Sequence, residues 1–100
     1  MEETEFVEFK KSVSELKEGI ISIVSILNKH GKGELVIGVD GKGKSINQQI
    51  TESTLRNISQ AISNHIEPKI YPRIVKEKDY VKISFEGEDK PYFAFGRAYM

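Results

Sequence analysis

The 100-residue chain contains no cysteine, which excludes disulfide bridges and thiolate zinc sites and permits a reducing compartment. Its two histidines cannot build a zinc site by themselves. Neither sign of charge is in excess: fifteen Lys and Arg balance fifteen Asp and Glu. That balance argues against a strongly basic nucleic-acid binder and against an acidic tail, and it leaves open how charge is segregated over the surface. No apolar run is long enough to cross a bilayer, and the amino-terminal MEETEFVEFKK is acidic where a secretion signal is basic and then apolar. A soluble, cytoplasmic protein with no membrane partner is the expectation. Repeats, low-complexity tracts and linkers are also missing, so residues 1–100 read as one small domain with one core. The final PYFAFGRAYM is apolar and aromatic, which predicts that the domain is the amino-terminal piece of a longer protein.

Two helices are written in the apolar spacing. Ser12 with Glu15 forms a capping-box pattern, and Val13, Leu16, Ile20, Ile23, Val24 and Leu27 follow at helical intervals until Gly31 supplies a left-handed stop. Thr51 is placed to cap the second helix, whose Leu55, Ile58, Ile62 and Ile66 recur at three and four until Pro68 forbids continuation. Strands are expected at Glu5 to Lys10 as an edge, and at Leu35 to Val39. A turn at Gly41 to Gly43 is expected to lead into a partner strand over Lys44 to Gln49. Further strands are expected over Ile70 to Val75, Tyr80 to Phe85, and Tyr92 to Phe95. The fold class is therefore α+β: two main helices on a mixed, largely antiparallel sheet of about five to six strands, in two layers.

The stretch Ser25 to Gly43, SILNKHGKGELVIGVDGKG, joins the end of an apolar helix to a strand through a basic, glycine-rich turn. Lys29, His30 and Lys32 flank one end of that strand, and Asp40, Lys42 and Lys44 the other. A short strand of about seven residues is expected to return both turns to one end of the sheet, where Lys29, His30, Lys32, Lys42 and Lys44 form a cationic rim that touches adjacent phosphates with little sequence preference. The default for His30 is simpler, since a cationic side chain in a last helical turn is favoured by the helix dipole. Gly38, Gly43, Lys44 and Ser45 also satisfy the phosphate-loop pattern GxxxxGK[ST]. A phosphate loop needs a helix starting at its lysine, whereas a helix start signal comes only at Thr51, so the match reads as a glycine-rich hairpin turn rather than an NTPase site.

Four blocks carry a family resemblance over nearly the whole chain: VEFKKSVSEL (Val7 to Leu16), ILNKHGKGELVIGV (Ile26 to Val39), QQITESTLRNISQAISNHIEPKIYP (Gln48 to Pro72) and EGEDKPYFAFGRAYM (Glu86 to Met100). In these the chain resembles the Schlafen AlbA-like domain of prokaryotic proteins described as divergent AAA, transcriptional regulators or RecG-helicase-like. The resemblance implies an amino-terminal module associated with DNA or RNA, followed by further domains of the same chain, with links to transcription regulation and ATP binding. It also implies a metal-dependent nuclease alternative. In the nuclease members two glutamates spaced as E-x-x-x-x-E-F-K join a later aspartate to hold a divalent metal, magnesium or manganese, that activates water on a phosphodiester. Glu3 and Glu8, with Phe9 and Lys10, reproduce that spacing, and Asp40 is the candidate third ligand.

Residues five apart on a regular strand point to opposite faces, so a shared metal at Glu3 and Glu8 requires a bend near Phe6. The competing reading makes these glutamates solvated charges that keep an edge strand from aggregating. Tyr71, Tyr80, Phe85, Tyr92, Phe93, Phe95 and Tyr99 lie in strand text and are expected to pack the core. Only Tyr71 with Arg73, or Tyr92 with Lys90 and Arg97, has the basic company that base stacking uses. A third class of function, homodimerisation through an exposed strand near Tyr92, is the remaining alternative.

Overall fold

Helix α1 (Leu16–His30) and strand β2 (Lys32–Ile37) are joined by one residue, Gly31. Its φ of 81° lies in the left-handed region, and its N–H closes the helix on the Leu27 carbonyl at 2.9 Å. A side chain there would be strained, so glycine sets how abruptly α1 turns into β2. The structure is a computed structural model describing residues 2–47 and 49–100. The remaining elements are β1 (Val7–Lys10), α2 (Glu52–His65), β3 (Ile66–Glu67), β4 (Arg73–Lys76), β5 (Val81–Glu86), β6 (Phe93–Ala94) and β7 (Arg97–Ala98).

The four-stranded sheet has the order β1-β2-β5-β4, with β1 parallel to β2 and the other pairs antiparallel. A second sheet, β3-β6-β7, is antiparallel and three-stranded. The α+β class and the two-layer arrangement hold, with the strands divided between two sheets. Core side chains come from one face of each element: Ile20, Ile23, Val24 and Leu27 of α1, Ile58 and Ile62 of α2, Leu35 and Ile37 of β2, and Val81, Ile83 and Phe85 of β5. Removing each such Leu or Ile side chain from water stabilises the fold by about 1.5–3 kcal/mol. On the opposite face of the sheet Phe9, Val36 and Val39 form a smaller cluster, flanked by Val7 and Tyr80.

Several local expectations are corrected. Val13 does not begin α1; residues Val13–Glu15 form a 3-10 turn capped by the Ser12 hydroxyl, and Val13 is exposed. The Glu15 carboxylate reaches back to the N–H of Lys11 at 2.8 Å, one residue beyond the capping-box position. Thr51 does cap α2, its partner being Thr54: each threonine hydroxyl accepts the other's backbone N–H at 3.2 Å. Ile66 leaves the helical stripe and becomes the first residue of β3, pairing with Ala94.

The strand expected after Gly43 is absent among the described residues, Gln48 lying outside them. Only an isolated bridge links Val39 to Ser45. The partners of β2 are β1 and β5 instead. The strand near Tyr92, expected to offer a free edge, is β6, which is paired on both sides.

Candidate functional site

The turn after β2 is closed by its own aspartate. Asp40 Oδ1 accepts the N–H of Lys42 at 2.9 Å and of Lys44 at 3.0 Å, and the Asp40 N–H donates to the Lys44 carbonyl at 2.9 Å. Donation from Lys44 and then Lys42, helped by their positive charges, holds the Asp40 carboxyl below its ordinary value of 3.8. The amides that a phosphate loop would turn toward phosphate therefore serve an internal carboxylate. The next helix, α2, opens at Glu52 and not at Lys44. The GxxxxGKS match is thus a carboxylate-filled loop without phosphate-loop geometry.

The topology places Lys42 and Lys44 in a cluster that the sequence alone did not reveal. Because β1 and β2 are parallel, Lys10 and Ile37 end side by side, and the antiparallel β5 starts there with Val81 opposite Ile37. The β4–β5 hairpin tip meets the same place, with an Asp79 carbonyl and Tyr80 Cβ each 3.2 Å from where a Gly38 Cβ would stand. Three loops thus bring Lys11, Lys42, Lys44, Lys76 and Lys78, all exposed, to one end of the sheet. Among the described residues none of these five lies within 4.0 Å of a carboxylate oxygen. Lys10, at the same end, is held by Glu8 at 3.1 Å.

Lys29, His30 and Lys32 stand at the other end. The six-residue β2 lies between the two turns, and a strand of that length spans roughly 20 Å. One strand cannot return both of its own ends to one place, so the five expected basic residues do not make a single rim. The end holding Lys32 is mixed in charge. His30 Nε2 is 3.9 Å from Glu5 Oε2, its ring lies 4.5 Å from that of Phe6, and Lys32 is paired in register with Glu86.

The three carboxylates of the metal reading are not brought together either. The required bend near Phe6 exists: Thr4 and Val7 exchange backbone hydrogen bonds at 3.1 and 3.3 Å, which folds the amino terminus back along β1. Its outcome is structural, because Glu3 Oε2 accepts the N–H of Phe9 at 3.1 Å on the outer side of β1. Glu8 pairs with Lys10, and Asp40 closes the loop beyond β2. Among the described residues no three His, Asp or Glu side chains are grouped to hold a metal ion. The donor set does not fit a divalent cation.

The two aromatic candidates separate cleanly. Tyr92 is 1% exposed and belongs to the core, so it cannot stack on a base. Tyr71 is 90% exposed and, with Arg73, borders an open groove of about 500 Å3 whose other walls include Phe6, Lys32 and Glu34. Phe6 was not singled out from the sequence, since its role depends on the reversal at Thr4 to Val7.

A small α+β domain with one cationic end and one aromatic groove is the class these features define. The family model described as Schlafen, AlbA_2 matches residues 3–100, and the chain belongs to that family. No curated protein matches the chain. Among the described residues no helix is long and apolar enough to cross a membrane.

Proposed function

We propose that this domain is a nucleic-acid-associated module of a larger regulatory or ATPase-like protein, and that it holds phosphates at the end of the sheet carrying Lys42 and Lys44. The observation that carries this reading is the set of five exposed lysines on three adjoining loops, without a carboxylate within 4.0 Å among the described residues, two of them with backbone amides held by Asp40. A net charge of zero is no obstacle, because on these three loops the five lysines outnumber the acids Asp40, Glu77 and Asp79. Membership of the Schlafen AlbA_2 family supports the same reading. Ammonium groups on short loops meet phosphate oxygens without reading base edges, so binding to DNA or RNA duplexes is expected to show little sequence preference.

With about four phosphate contacts, affinity falls roughly 100-fold for a fourfold rise in salt. The test is titration of a labelled duplex at two salt concentrations with the parent and with Lys42→Glu/Lys44→Glu. The variant is expected to bind at least about tenfold more weakly and with a shallower salt dependence. Absence of binding at low salt, or equal binding by the variant, overturns the reading.

A further inference from the structure

Folding has left the Tyr71 ring 90% exposed and Phe6 40% exposed, and both line one groove. Scattered exposed aromatics need no explanation, but two on one groove flanked by cations are the arrangement on which unpaired bases stack. Lys32 and Arg73 supply the cations, and the volume of about 500 Å3 suits a base with its sugar and phosphate. The groove also holds Glu34 and Glu86, which balance those two charges. Glu34 is already engaged, with Lys82 Nζ at 3.4 Å and the Ser84 hydroxyl at 3.4 Å. A locally neutral groove gains little from counterion release, so an occupant must draw affinity from its flat apolar faces. A duplex hides those faces in its own stack; a single strand offers them.

We propose that this groove binds unpaired bases of single-stranded nucleic acid, one stacked on Tyr71 and Phe6, with flanking phosphates on Lys32 and Arg73. The inference rests on the nucleic-acid reading above and adds a second surface, at the other end of β2 from Lys42 and Lys44. The two surfaces differ in kind. The lysine end, with more phosphate contacts, depends more steeply on salt and accepts duplexes, whereas the groove, with two, depends less steeply on salt and requires bases free to leave a stack.

The test compares a short labelled oligothymidylate with a labelled duplex of the same length. Tyr71→Ala is expected to weaken oligothymidylate binding by about 5- to 100-fold and to leave duplex binding within about twofold, while Tyr71→Phe keeps the parent affinity. Tyr71 is outside the core, so the fold is not at stake, and matching circular dichroism spectra check this. The chain has four tyrosines and no tryptophan, so quenching of tyrosine emission by the oligothymidylate, lost in Tyr71→Ala, is a second readout. If Tyr71→Ala binds oligothymidylate as the parent does, while Lys42→Glu/Lys44→Glu still loses the duplex, the groove proposal fails and the nucleic-acid reading stands. If the parent binds neither ligand at low salt, both fail.

Discussion

Asn28 grips the backbone of Tyr92 from two sides: its Nδ2 donates to the Tyr92 carbonyl at 3.0 Å and its Oδ1 accepts the Tyr92 N–H at 2.7 Å. The same Nδ2 donates to the Tyr99 carbonyl at 2.6 Å. Asn28 is a buried polar side chain in the core, and these bonds satisfy it while fastening the three-stranded sheet to α1. Asn28→Ala leaves a buried N–H and two carbonyls without partners and is expected to cost about 2–4 kcal/mol, lowering the melting temperature by roughly 10–25 °C. Asn28→Asp keeps the acceptor but turns oxygen toward both carbonyls, so it is not expected to rescue stability. Thermal unfolding of the two variants checks this, and a loss under about 1 kcal/mol for Asn28→Ala would sink it.

Tyr92 constrains a second position. A Cβ on Gly87 would collide with the Tyr92 hydroxyl, and that hydroxyl accepts the Asp89 N–H at 3.0 Å from a side chain 1% exposed. Neither partner can step aside, so Gly87→Ala is expected to destabilise by about 1–3 kcal/mol. In a double-mutant cycle Tyr92→Phe should recover part of the loss by removing the nearest atom. Additive costs in urea denaturation would show that the clash is not the cause.

Glu3 distinguishes a cap from a ligand. Its carboxylate holds an outward-facing N–H of the edge strand β1, and Glu3→Ala is expected to cost about 0.5–1.5 kcal/mol and to promote edge-to-edge association. Glu3→Gln retains an acceptor oxygen and should behave like the parent. Denaturant midpoints with sedimentation velocity decide it; equal behaviour of Glu3→Ala and the parent argues against the cap.

Asp40 gives the loop a pH limit. Its carboxyl is held below 3.8 in the folded state by the Lys44 and Lys42 amides, so the ionised form is the one the fold favours. The resulting stabilisation is complete above the unfolded value and disappears as pH falls through the lowered folded one. In an acid titration the Lys42 and Lys44 amide resonances are expected to move together with a midpoint below 3.8, and to stop moving in Asp40→Ala. A midpoint at or above 3.8 would contradict the assignment.

Both helices were legible in the sequence because their apolar residues recur at three and four and because Gly31 and Thr51 mark a stop and a start. Strand pairing was not. The parallel match of β1 to β2 spans the whole of α1, and nothing local in Val7–Lys10 announces it. The segment after Gly43 looked like a hairpin partner, yet Asp40 satisfies the amides there and leaves β5 to pair with β2. For the site, Tyr71 beside Arg73 was visible as a pair, whereas Lys11, Lys76 and Lys78 join Lys42 and Lys44 only through topology. The extended β2 is a rod, so it holds its own two ends, and the basic residues beyond them, apart.

That rod acts as a ruler. Lys42 lies beyond one end of β2 and Tyr71 borders the groove at the other, so a nucleic acid touching both must span about the length of that strand, roughly 20 Å, the rise of about six stacked base pairs. Affinity measured against ligand length is therefore expected to climb in a step, with shorter ligands occupying one end of the domain at a time.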